Sequence, residues 1–220
     1  MRLLLLRHGQ THGNVAGALD TAYPGNELTG LGHRQADAAA AVLHSRPIEA
    51  IYVSNLTRTH QTAAPLAKRL GLAPTEFAGL REISAGDYEM KVDEDSVHGY
   101  LTTIGAWIHG DPSARMPGGE TGAEFLERYD AAVRRAADSG HECLLVVSHG
   151  AAIRAWSAIR AEDADPQHAT SQPLRNTGLI VLDGDPDSGW RLVDWHSDPV
   201  GGHLLEDRTA ADPTGRRSPE

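Results

Sequence analysis

The chain has one cysteine in 220 residues, Cys143, so no disulfide framework forms within it. It has no apolar run near the roughly 18 residues that cross a bilayer. The apolar opening, residues 1–6, ends at Arg7 and His8 and is too short for a signal-peptide core. These shortages point to a soluble cytoplasmic protein with no membrane partner. Positive charge is also in deficit. Twenty basic residues face 30 acidic ones, for a formal net charge of −10. Such a chain repels a phosphate backbone, which argues against a nucleic-acid partner. A phosphate ligand would need positive charge concentrated locally. Aromatic residues make up 5% of the chain, but the apolar fraction of 40% is too high for disorder and allows a sizeable core. Lysine is scarce, and the arginine excess is what a GC-rich genome produces. What is abundant is histidine, with twelve residues beside only two phenylalanines.

The chain alternates apolar runs with helical periodicity. Residues 2–6 and 142–148 read as strands buried on both faces, the kind found in parallel sheets. Shorter strands are expected at 50–53, 178–183 and 190–195. Helices are expected from Thr29 to about 45, from about 55 to a stop at Gly71, after Glu94, at 120–138 and at 151–160. The alternation indicates a single three-layer α/β/α sandwich over residues 1–205 with a mostly parallel central sheet. An insertion at about 90–116 reads as a lid, with Tyr100, Trp107 and an apolar stripe of Val97, Leu101, Ile104 and Ile108. The tail at 206–220 has no periodicity and is expected to be mobile.

Arg7-His8-Gly9 lies just past the first strand, at the edge where open α/β sheets bind ligands. Arg7 offers a bidentate fork for an anion, His8 a nucleophilic or basic nitrogen, and Gly9 no side chain to obstruct a ligand. Ser148-His149-Gly150 repeats the pattern of buried strand, histidine, glycine and helix start. Adjacent parallel strands would set His8 beside His149. Arg58, in the first turn of its helix, adds a charge where a helix already attracts anions. Two guanidiniums and two imidazoles at one edge suit a phosphoryl group. Six further histidines, His12, His33, His44, His60, His141 and His168, share no ligand spacing, so no metal site is expected. Cys143 reads as a core thiol, and Asp87 and Glu89 as surface or hydrogen-bonding residues.

The sequence resembles the histidine phosphatase superfamily, which includes the cofactor-dependent phosphoglycerate mutases. Six segments in order carry the resemblance: residues 6–14, 28–36, 54–63, 80–89, 117–120 and 146–150. It implies a phosphoglycerate mutase-like fold, with His8 as the nucleophile that becomes a phosphohistidine. It further implies that Arg7, Arg58, His149 and Asn14 bind phosphoryl oxygens, assisted by Thr11 and by backbone groups near Gly9 and Gly150. Glu82 would be the acid for the leaving oxygen and then the base for water. Gly13 departs from the resemblance, since many relatives carry an aromatic there, and so does the loop at 21–27.

The expected function is hydrolysis of a small phosphomonoester, with no metal and no cofactor. The alternative is a phosphoglycerate mutase primed by 2,3-bisphosphoglycerate. A mutase needs a second cationic clamp, whereas residues 90–116 hold four acidic side chains against Lys91 and Arg115, a formal −2. The apolar stripe there suggests a substrate with a neutral or apolar remainder. The resemblance also leaves room for a homodimer.

Overall fold

Leu3, Leu4, Leu5 and Leu6 are all 2% exposed or less, so the strand they form needs cover on both faces. The computed structural model, which describes residues 1–215 apart from the side chain of His168, supplies that cover. The sheet consists of β1 (Arg2–Arg7), β2 (Ala50–Val53), β3 (Thr75–Glu76), β4 (Cys143–Ser148), β5 (Leu179–Asp185) and β6 (Gly189–His196). Their order is β3-β2-β4-β1-β5-β6. The first four are mutually parallel, while β5 and β6 form an antiparallel extension beside β1.

Alternate residues of the central strands feed two cores. Leu4, Leu6, Leu145 and Val147 pack with residues of α2 (Gly30–Leu43) and α3 (Thr57–Leu70). Leu3, Leu5, Leu144 and Val146 face the larger core, which includes residues of α4 (Glu94–Ile108), α5 (Gly122–Ala137) and α6 (Gly150–Arg160). Short helices α1 (His12–Ala16) and α7 (Pro166–Ser171) complete the set among the described residues. The sandwich expected from the alternation is present.

The insertion differs from the lid expected. Tyr100 and Trp107 are at most 1% exposed, and their polar atoms donate to Ile83 O at 3.0 Å and Ala114 O at 2.8 Å. Trp107 stacks on Phe125 with ring centroids 5.9 Å apart. The apolar stripe is therefore a core face of α4. Three of the insertion's four acids sit at the start of α4, where Asp93 caps the helix through Ser96 N and Glu94 and Asp95 occupy the first turn. The helix dipole stabilises negative charge there. The tail expected to be mobile lies, over residues 206–215, against the carboxyl edge of the sheet. Gln10 Nε2 donates to Asp207 at 2.8 Å, and Ala210 and Thr214 are buried. The rest of that tail, 216–220, lies outside the described residues.

Candidate active site

β1 and β4 run side by side with Leu6 opposite Val147 and Arg7 opposite Ser148. The next residue of each strand is therefore delivered to the same point on the edge. The rings of His8 and His149 stand 5.2 Å apart at 60°. His8 Nδ1 is 2.7 Å from the carbonyl of Gly9. A carbonyl only accepts, so Nδ1 carries the ring proton and Nε2 is left with its lone pair. Burial pushes the His8 pKa well below the usual imidazole value, and the nearby Arg58 and Arg7 charges push the same way.

His149 is held at both nitrogens. Arg58 Nε donates to Nδ1 at 3.2 Å, so in the neutral ring Nε2 bears the proton and donates to Ser54 Oγ at 2.8 Å. Burial, then Arg58, keep the His149 pKa well below its usual value. With both nitrogens engaged, the ring orients Arg58, and it reaches a phosphoryl oxygen only by releasing Ser54. Arg58 is placed by the start of α3 and is 2% exposed. Its Nη2 donates to Asp20 O at 2.9 Å, and its Nη1 lies 3.3 Å from the Asp20 carboxylate.

Glu82 follows the 3-10 turn Ala78–Leu80 and is 3% exposed. Its Oε1 accepts from Ile83 N and Ala152 N, and its Oε2 from Ala151 N at 3.1 Å. Two of these donors belong to the first turn of α6. Burial nevertheless wins and raises the Glu82 pKa above the usual carboxyl value. Oε2, with a single donor, has a lone pair left for a proton. A carboxyl poised in this way can give a proton and take one back.

Arg7 ends β1 and is fully buried. All four N–H groups of its two terminal nitrogens are engaged. They meet Leu174 O at 2.8 Å, both Asp212 oxygens at 2.6 and 2.7 Å, and Thr214 Oγ1 at 3.0 Å. Asn14, in α1, donates through Nδ2 to Asp212 Oδ1 at 3.1 Å, while its Oδ1 accepts from Thr11 and Asn176. Thr11 is the N-cap of α1. His8, Thr11, Asn14, Asp20, Arg58, Glu82 and Thr214 all border one narrow cleft.

Gly9 has a different reason from the one expected. A Cβ there would sit 2.6 Å from Gly32 O, so the approach of α2 requires the glycine. At Gly150 a Cβ would come 2.9 Å from Arg7 Nε and 3.0 Å from Thr214 O. The sequence did not single out Asp20, Ser54, Asn176, Asp212 or Thr214. The prior signals at them were the atypical loop beside Asp20 and the place of Ser54 at the head of the 54–63 segment. The remaining histidines with described side chains do not line the cleft; His60 pairs with Glu76 at 2.9 Å on the surface. Among the described residues no three His, Cys, Asp or Glu side chains gather as a metal site. Cys143 is buried, and Glu89 accepts from Thr21 N at 2.9 Å in a bracing role. No helix of the described residues is long and apolar enough to cross a membrane.

The profile of the histidine phosphatase superfamily (branch 1) matches residues 3–198. A glucosyl-3-phosphoglycerate phosphatase of Mycobacterium tuberculosis is 35% identical over 216 residues, covering 90% of this chain and 92% of that protein. A mycobacterial glucosyl-3-phosphoglycerate phosphatase solved with VO3 superposes with a TM-score of 0.75 at 30% identity, covering 89% of this chain and 98% of the other. A probable phosphoglycerate mutase GpmB of Yersinia enterocolitica is 31% identical, covering 96% of this chain and 98% of that protein. A PE-PGRS family protein of M. tuberculosis is 38% identical over 89% of this chain, which spans only 36% of that protein's length. The two buried strand-end histidines, their arginines and the family-wide match lead to one conclusion: the chain belongs to the histidine phosphatase superfamily.

Proposed function

We propose that the chain hydrolyses a small phosphomonoester through a phosphohistidine on His8. The observation that carries this reading is the hydrogen bond of His8 Nδ1 to Gly9 O, which commits the ring proton there and leaves Nε2 its lone pair in a residue that lines one cleft with Arg58 and Glu82. In the first step Nε2 attacks phosphorus, the bond to the ester oxygen breaks, and Glu82 gives that oxygen its proton. In the second step water attacks phosphorus, Glu82 takes the water's proton, and the N–P bond breaks to release orthophosphate. Phosphoryl transfer passes through a loose transition state, so the work left to the protein is positioning and charge stabilisation. Arg58 and Arg7 supply that charge, and the hydrolytic reading invokes no metal or cofactor.

Water rather than a second substrate oxygen is the favoured acceptor. Among the described residues, the cleft lining contains Arg58 and Asp20 but no second basic clamp for a carboxylate or another phosphate. The acids of the insertion give no such evidence, since three of the four serve the start of α4. Support for an apolar substrate remainder is also removed, since Tyr100 and Trp107 are core residues. The relatives that act on phosphate esters favour a small phosphorylated metabolite. Acid quench after mixing with a labelled phosphomonoester should trap an acid-labile phosphate in the wild type and none in His8→Ala. Turnover in that variant should fall by several orders of magnitude, the scale of losing a covalent nucleophile. Interconversion of 2- and 3-phosphoglycerate faster than hydrolysis would instead establish the mutase reading.

A further inference from the structure

The anion site assigned to the phosphoryl group is already filled by the chain's own carboxylate. Asp212 takes both terminal nitrogens of Arg7 and the side-chain amide of Asn14, two of the donors expected for phosphoryl oxygens. Its neighbour Thr214 takes one more N–H of Arg7 and borders the cleft beside His8 and Glu82. The segment is fitted to this position. Asp212 N donates to Asn14 O at 2.9 Å, and Arg154 donates to Thr214 O at 3.3 Å. Gly17 and Gly150 lack the Cβ atoms that would meet Ala211 and Thr214, and a Cβ on Gly215 would overlap Arg7 and Asp212. The backbone of Asp212 has φ +24°, an uncommon conformation that these bonds hold in place.

The docked segment leaves no room for substrate. The free space in the cleft is about 20 Å³, which suits about one water molecule and not a phosphoryl group with three oxygens. Charge tells the same story. Arg7 faces Asp212 and Arg58 faces Asp20, so each guanidinium already has a carboxylate partner.

We propose that the segment Thr209–Gly215 is an intramolecular inhibitor, with the Asp212 carboxylate standing in for phosphate, and that substrate enters by displacing it. This rests on the assignment of Arg7 and Asn14 as phosphoryl donors. An occupant docked for nine-tenths of the time weakens apparent affinity about tenfold.

Calorimetry with orthophosphate on the full chain tests the proposal without turnover. Asp212→Ala and Asp212→Asn should bind phosphate about tenfold more tightly than the wild type, with KM lowered and kcat retained. In the wild type, saturating phosphate should speed backbone amide exchange across 209–215. Equal or weaker phosphate binding by the variants, a fall in kcat, or slowed exchange would overturn it, the fall in kcat marking Asp212 as a positioning residue for Arg7. Equal affinities with phosphohistidine still trapped on His8 would sink the inhibitor alone. Absence of both trapped phosphate and phosphate binding would sink the hydrolase reading with it.

Discussion

Gly13 and Asp20 show how one missing side chain reshapes a site. A Cβ on Gly13 would sit 3.1 Å from Asp20 Cβ, so the bare backbone at Gly13 is what lets Asp20 fold in towards Arg58. The sequence exposed the anomaly at Gly13 but not its consequence, because Asp20 and Arg58 are 38 positions apart. The same holds for Asp212, which meets Arg7 across 205 positions. Local pattern marks residues that begin or end an element, as with His8, His149 and Arg58; it carries no information on which loop acid closes over them. Where pattern does identify the groups, their environment sets a pH profile. The proposed hydrolysis needs neutral His8, whose pKa lies well below 6.5, and protonated Glu82, whose pKa lies above 4.5. We expect kcat/KM to fall on the acid side as His8 protonates and on the alkaline side as Glu82 ionises. Glu82→Gln should abolish the alkaline limb and reduce the rate by roughly 10²–10⁴, the usual scale of a general acid. An unchanged alkaline limb would assign it to another group.

At the scale of elements, the parallel centre of the sheet was legible because continuous apolar runs such as Leu3–Leu6 leave a strand no exposed face. The two-residue β3 and the five-residue α1 were not, since neither is long enough to show a period. The insertion was legible as a helix yet misread as a lid, because an apolar stripe states that a face is buried and not what buries it. Packing of α2 on the loop after β1 turns on Gly32, where a Cβ would overlap Gln10 O. Gly32→Ala should destabilise the protein by ~1–3 kcal/mol, the cost of overpacking, and impair hydrolysis by shifting Gly9–Thr11. Gly105 is the opposite case: it lies inside α4 with nothing within 4 Å of an added Cβ. Gly105→Ala should add ~1 kcal/mol through helix propensity. For a domain of this size that is a rise of about 2–4 °C in Tm. Calorimetric melting of the two variants beside the wild type checks both signs.

For the molecule as a whole, the buried site makes stability depend on pH. His8 and His149 are neutral when folded, with pKa values well below 6.5, and regain their ordinary affinity for protons on unfolding. Below pH 6.5 the unfolded chain therefore binds more protons, and stability falls with pH until the depressed folded pKa values are passed. Glu82 acts in the opposite sense: its folded pKa is raised above 4.5, so between 4.5 and that value the folded chain holds the extra proton and gains stability as pH falls. Two histidines opposed by one carboxyl leave a net slope of about one to two protons, or ~1.4–2.7 kcal/mol per pH unit. Urea unfolding at a series of pH values from 7 to 5 should show the midpoint decreasing. In a His8→Asn, His149→Asn double variant the decrease should flatten, because Glu82, the only one of the three still titrating, contributes a slope of the opposite sign. A wild type and double variant with parallel pH dependence would mean that the imidazoles titrate in the folded protein as they do in water, so that burial and the arginines do not hold them neutral at acid pH.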